Sequence, residues 1–179
     1  MSSDRDTIAV DDGPCAGCGL CCDGTLYSFA RAEDDEKEGL AAIGLSLTEH
    51  EGKSYFRLPC TKVSCGRCTI YEDRFTICRS FSCALLKRYE AGEIGPIEAR
   101  ETVADPTRLV AAVTADDPAA ASHESRKRIR NALAEECASG SEARRRTLAA
   151  RLLRIVALDE FLERRFRNRK DEAAADAGA

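Results

Sequence analysis

The sequence has no tryptophan, one methionine and only two histidines in 179 residues. His50 lies in a polar turn, Thr48-Glu49-His50-Glu51-Gly52, and His123 in a solvated helical pattern, so neither reads as a metal ligand. Without a well-placed base, a thiol-hydrolase reading has little support. No apolar run approaches the roughly 20 residues needed to span a bilayer. The opening residues Met1, Ser2, Ser3, Asp4, Arg5 and Asp6 form neither a basic n-region nor an apolar h-region, so no secretory signal is read and the expected location is the cytoplasm. Lys and Arg number 27 against 31 Asp and Glu, for a net charge of −4, which excludes a strongly basic nucleic-acid binder on net charge. No internal repeat is visible, and no Gly-rich strand-to-helix nucleotide loop.

What the sequence does have is ten cysteines. In a reducing compartment, thiols at repeated short spacing hold metal more often than they form disulfides. Nine of the ten fall between Cys15 and Cys83, and eight of the ten aromatics between Tyr27 and Tyr89. The rest of the chain is rich in Ala and Arg. The first half cannot bury much apolar surface, and a bound metal would substitute for part of a core. The expected fold class is therefore α+β: a small cysteine-rich, metal-stabilised domain with short strands, then an all-helical C-terminal extension. The expected divisions are a flexible N-terminus (1–12), the cysteine-cluster domain (13–92), the helical extension (93–170) and a loose tail (171–179). Residues 25–29 and 54–58 alternate and read as strands. Acidic residues 33–36 lead into an apolar stretch closed by Gly44, which suits a short helix; a second short helix covers 84–90 and ends at Gly92. Further helices are expected near 96–103, 106–114, 118–138 and 141–169, with Asp105, Asp117 and Ser141 as caps and Pro96, Pro106 and Pro118 in first turns.

The cysteines form two groups. Cys15, Cys18, Cys21 and Cys22 make a Cys-x2-Cys-x2-Cys-Cys run; Gly17 and Gly19 within it permit positive φ and let amides point at sulfur. The spacing is similar to that which serves several corners of an iron–sulfur cluster. Adjacent Cys21 and Cys22 point in different directions, so at most one is expected in a given mononuclear site. The other is left for a second site or for redox chemistry. The second group is Cys60, Cys65, Cys68, Cys78 and Cys83, with Cys65-Gly66-Arg67-Cys68 as another chelate pair. Two such pairs far apart in sequence point to metal. Nearly all-sulfur ligation leaves tetrahedral zinc or an iron–sulfur cluster, and excludes hard, oxygen-loving ions as the main occupant. The competing reading, buried thiols or structural disulfides, does not account for nine cysteines in 69 residues at paired spacing. Cys137 stands alone in an Ala-rich helical pattern and reads as core packing.

The run Cys15-x2-Cys18-x2-Cys21-Cys22, then Cys60, then Cys68-Thr69-Ile70-Tyr71-Glu72-Asp73-Arg74, then Cys78-Arg79-Ser80-Phe81, resembles the zinc- or iron-chelating cysteine-cluster family of the YkgJ type, known for its CxxCxxCC motif. The resemblance covers about residues 13–90. It implies metal binding, with Cys15, Cys18, Cys21, Cys22, Cys60, Cys68 and Cys78 as ligand pool and Cys65 and Cys83 as second-rank candidates. The family usually has Arg-Pro where this chain has Arg74-Phe75, which changes the loop before Cys78. Larger relatives with this cluster resemble lysine methylases acting on flagellin with S-adenosylmethionine; this chain is much shorter and lacks a nucleotide loop.

Arg74 and Arg79 bracket Cys78 and could offset thiolate charge; the alternative is surface pairing with Glu72 or Asp73. Tyr71 and Phe81 are expected to shield the site. The carboxylates of Asp34 and Asp35 read as a solvated helix start, not an acid–base pair. Residues 142–170 carry ten basic and four acidic groups, whereas residues 1–60 carry five basic and twelve acidic, so the chain is polarised. Leu148, Leu152, Ile155, Val156, Leu162 and Phe166 share one helical face, with Leu158 at its edge. Asp159 projects into that stripe and needs a partner such as an Arg. The basic helix is a candidate surface for a protein partner. Nucleic acid is disfavoured by the lack of aromatic interleaving. The function expected is thiolate-ligated binding of zinc or iron, with the metal mainly structural. The alternative is an iron–sulfur redox protein or a cluster-dependent enzyme, oxidoreductase or methylase-like; no catalytic constellation exists beyond the cysteines.

Overall fold

The computed structural model describes residues 13–15 and 17–168. The segments expected to be flexible, 1–12 and 171–179, lie outside the described residues. The fold is mixed α+β, with short antiparallel strands in the N-terminal half and helices dominating the C-terminal half.

A three-stranded antiparallel sheet, order β1-β3-β2, forms the regular part of the first half. Its strands are β1 (Phe29–Ala32), β2 (Leu47–His50) and β3 (Lys53–Arg57). The central strand β3 carries Ser54, Tyr55 and Phe56, all buried. Phe29 pairs with Arg57 on one side, and Leu47 with Phe56 on the other. The β2–β3 hairpin closes through Glu51 and Gly52, both at positive φ, the two-residue turn whose twist matches the strands. The polar turn read at 48–52 is therefore only its last two residues; 48–50 belong to β2.

The strand expected at 25–29 forms only at its end. Residues 25–28 are irregular because their backbone groups are engaged elsewhere. The Leu26 amide donates to the Leu20 carbonyl (3.0 Å) and the Thr25 amide to Asp23 Oδ1 (2.8 Å). The carbonyls of Thr25 and Leu26 accept from Arg126 and Arg167, so no ladder partner is needed.

Both short helices expected in the first half end at their glycines, Gly44 and Gly92, each at positive φ. Helix α1 (Lys37–Ala42), preceded by a 3-10 turn at Asp34–Glu36, closes with Gly44 N–H on Ala41 O and Leu45 N–H on Leu40 O. That pair of bonds is a Schellman cap, and Gly44 supplies its left-handed residue. Between β3 and the next helix lies a small hairpin, β4 (Val63–Ser64) with β5 (Arg67–Cys68). Then come α2 (Thr76–Ser80) and α3 (Ala84–Glu90).

The second half is α4 (Pro96–Thr114), a 3-10 turn at Pro118–Ala121, α5 (His123–Ser139) and α6 (Glu142–Arg165). Two expected helices, 96–103 and 106–114, are one. Pro106 sits inside α4, with its ring fully buried, instead of opening a new helix behind an Asp105 cap. Asp117 does cap, accepting from the Ala119 amide at 3.0 Å. Ser141 occupies the N-cap of α6, but its side chain makes no capping bond.

Helix α6 packs on α4 and α5 through Leu148, Ile155, Leu158 and Leu162, followed by Phe166, all buried. Leu158 is in the middle of that stripe, not at its edge, and Val156 is 42% exposed. The same apolar cluster takes in Leu20, Leu26, Cys83 and Leu85 from the first half. Cys137 packs against it, as its lone position in an apolar helical pattern implied. A second, smaller cluster of Ala32, Leu40, Leu45, Phe56 and Leu58 lies under the sheet.

Asp159 has its arginine. Arg126, with a side chain 0% exposed, donates from Nε to Asp159 Oδ1 at 2.9 Å, and Arg130 reaches Oδ2 at 3.3 Å. Arg126 also donates to the carbonyls of Ala121 and Thr25, both at 2.5 Å. Burial lowers its pKa, and the Asp159 carboxylate opposes that shift. A residue of the basic run 126–130 is thus an internal strut. The α6 arginines are largely paired as well: Arg151 with Asp117 (2.7 Å), Arg144 with Glu136 (3.1 Å), Arg146 with Glu142 (2.5 Å), and Arg154 with Asp116. Among the described residues, no helix is long and apolar enough to cross a membrane.

Candidate metal centre

Eight of the nine clustered cysteines sit on loops or element ends, and Cys78 lies inside a short helix. The first loop folds by short-range turns. The Cys18 amide donates to Cys15 O (3.2 Å), and the Cys22 and Asp23 amides both donate to Gly19 O (2.8 and 2.9 Å). Cys60 is tied to this loop directly, its amide donating to the Cys22 carbonyl at 2.7 Å. The β4–β5 hairpin leaves the same region. Val63 N–H donates to Cys60 O (3.2 Å), and Cys68 pairs with Val63 across the ladder. The hairpin tip presses on the first loop. A Cβ on Gly66 would stand 2.6 Å from Gly17 O, closer than any side chain tolerates. Cys78 lies in α2, and Cys83 is the N-cap of α3, where its sulfur accepts the Leu86 amide at 3.4 Å. The Cys60 sulfur accepts the Lys62 amide, also at 3.4 Å. Such N–H donors favour the thiolate, the form that binds metal.

All ten cysteines are free thiols. Burial raises the pKa of most of the cluster. It pushes Cys15 and Cys78 up to about 11, and Cys18 and Cys22 up to about 12. Cys21 is pushed well above its ordinary value; Cys60 and Cys83 are also raised. Neighbouring thiolates add to the effect in a patterned way. Cys15, Cys18 and Cys21 each feel Cys83, and Cys22 feels Cys78, Cys60 and Cys68. At neutral pH these thiols hold their protons, so an incoming cation must displace them.

Among the described residues, no group of three or more His, Cys, Asp or Glu side chains stands ready to hold a metal ion. The donor set fits zinc or iron in chemistry: it is all sulfur, most of it partly buried with Cys15 exposed, and amide donors point at two of its members.

Cys65 is exposed at the tip of the β4–β5 hairpin with φ +47°, and its local partner is Ser64 Oγ at 4.0 Å. Arg74 does lie near the thiols, where its charge lowers the pKa of both Cys15 and Cys78 against the dominant effect of burial. It is held by a bond from its Nε to Tyr71 O (2.7 Å) and by stacking on the Tyr71 ring (3.5 Å), not by Glu72 or Asp73. Tyr71 remains 49% exposed; Phe81 stacks edge-on against Tyr27 over the core. Phe75 packs into the smaller apolar cluster beside Gly39 of α1. The signal that sequence reasoning missed is Arg126, whose run of basic neighbours disguised a buried residue bonded to Thr25 beside the cysteine loop.

Comparison with curated proteins and with solved structures gives no match. Residues 14–106 match the family CxxCxxCC, "Putative zinc- or iron-chelating domain". The match covers more than half of the chain and takes in all nine clustered cysteines, so this protein belongs to the CxxCxxCC zinc- or iron-chelating family.

Proposed function

We propose that the protein binds zinc or iron through thiolates of Cys15, Cys18, Cys21, Cys22, Cys60, Cys68, Cys78 and Cys83, and that the metal chiefly holds residues 13–92 folded. Bound metal would supply the cross-links between loops that regular structure does not. The observation that carries the reading is the tying of separate loops at their cysteines, above all the Cys60 amide on the Cys22 carbonyl at 2.7 Å. That bond brings residues 38 positions apart in sequence to one place. The chain's own residues lose protons on binding, and the amides of Lys62 and Leu86 stabilise two of the resulting thiolates. Metal affinity therefore falls as pH falls.

Elemental analysis with a visible spectrum, on protein purified without oxygen, tests the reading. Stoichiometric zinc in a colourless protein supports the structural role. Iron with sulfide and a broad brown absorbance supports binding through an iron–sulfur cluster and turns the search to electron transfer. Protein that is correctly folded and carries neither metal, before or after reconstitution, overturns it.

A further inference from the structure

We propose that the thiols make two separate four-sulfur metal sites, one from Cys15, Cys18, Cys21 and Cys83 and one from Cys22, Cys60, Cys68 and Cys78, with adjacent Cys21 and Cys22 divided between them and Cys65 in neither. The proposal rests on the metal-binding reading above and adds how the ligands are partitioned.

Packing carries the argument. Cys18, Cys21 and Cys83 belong to the large apolar cluster that runs into the helices. Cys60 and Cys78 belong to the smaller cluster under the sheet. These are distinct clusters, so the two groups of sulfur are anchored to different parts of the molecule. The backbone extends each group. Cys15 closes the turn that leads to Cys18, by the Cys18 N–H to Cys15 O bond (3.2 Å). Cys22 holds Cys60 by its carbonyl (2.7 Å), and Cys68 pairs with Val63, whose amide is bonded to Cys60 O.

The split of the adjacent pair follows from the chain path. In an extended or turning backbone, neighbouring side chains leave on different sides. Cys21 packs against the helical core, and Cys22 is tied by its carbonyl to Cys60 of the other cluster. Cys65 is excluded by its turn. In this two-residue hairpin Cys68 is part-buried beside Val63, while Ser64 and Arg67 are exposed and Cys65 sits at the exposed tip. Four thiolates per site match the tetrahedral demand of zinc or of one iron–sulfur cluster.

The test is a Co²⁺ titration of the metal-free full chain, reduced and without oxygen, read by sulfur-to-cobalt charge-transfer absorbance. Zinc per chain is counted in parallel by native mass spectrometry. The expected result is a linear rise to two equivalents and two zinc ions per chain. A break at one equivalent with one zinc overturns the partition and leaves the metal-binding reading standing. No absorbance and no zinc overturns both. Cys83→Ser and Cys60→Ser are each expected to retain one zinc, and Cys65→Ser to retain two. Loss of both ions from each of the first two variants, with helical circular dichroism intact, would mean one shared cluster and would also overturn the partition. The wild-type endpoint needs no variant, so it decides between one site and two even where a variant fails to fold.

Discussion

The two halves of this chain are stabilised by different means. Residues 93–168 rely on three long helices, a continuous apolar stripe on α6, and a buried arginine whose donors are taken by Asp159 and backbone carbonyls. Residues 13–92 have strands of two to five residues, helices of five to seven, and cysteines held on loops. Their apolar cluster under the sheet has only five buried members. A small core of that kind supports little net stability on its own. On the proposed reading, a metal would replace hydrophobic burial in the half that has less of it and would add little in the other.

Removing the metal is the largest perturbation of that contrast. Structural zinc contributes on the order of 10 kcal/mol to small thiolate-ligated domains. Stripping the protein with a strong chelator is therefore expected to abolish amide protection across 13–92, while α4, α5 and α6 keep much of theirs. Hydrogen exchange resolved by mass spectrometry measures this directly. Equal loss in both halves would mean that the shared cluster of Leu20, Leu26, Cys83 and the helices makes one cooperative unit. Unchanged protection everywhere would remove the structural role of the metal.

Arg126 probes the contrast from the other side. Arg126→Met strands Asp159 and the carbonyls of Ala121 and Thr25 in a buried place. Breaking a buried pair by removing one partner costs about 3–5 kcal/mol. Arg130→Met removes a half-exposed donor to the same Asp159 and should cost under about 1 kcal/mol. Denaturant midpoints measure both. Because Arg126 also holds Thr25, its loss should loosen the segment behind the cysteine loop. An equal effect of the two substitutions would mean that Arg126 is no more than a surface ion pair.

How far the sequence discloses this arrangement differs between the halves for physical reasons. A metal-binding domain is legible because thiols at short spacing have few other uses; α1 announces itself by acids in front and Gly44 behind, and α3 by the Gly92 that follows it. The need of Asp159 for an arginine is legible from one charge in an apolar stripe. Which sulfur meets which is not legible, because Cys22–Cys60 and Cys21–Cys83 proximity is decided by long-range packing. Arg126 looks like its basic neighbours in sequence; only the helix phase buries it. Residues 25–28 alternate like a strand but lose their ladder to two arginines more than a hundred residues away in sequence. Pro106 carries a helix-start signal, yet burial of its ring keeps α4 continuous.

The smallest prediction separates backbone conformation from close packing within the cysteine half itself. Gly52 and Gly66 occupy the same place in two-residue hairpin turns, with φ of +70° and +72°. A Cβ on Gly52 meets nothing within 4 Å, whereas one on Gly66 would strike Gly17 O at 2.6 Å. Gly52→Ala should therefore cost only the left-handed conformation, about 1–2 kcal/mol, with metal binding unchanged. Gly66→Ala carries the same conformational cost and must also push the hairpin off the first cysteine loop. Its added effect should appear as faster zinc transfer to a chromophoric chelator, since Cys68 moves with the hairpin while Cys22 stays with the loop. If the two variants release zinc at the same rate, the contact between the hairpin tip and the loop does not position the ligands, and the cysteine half holds its metal by loop connectivity alone.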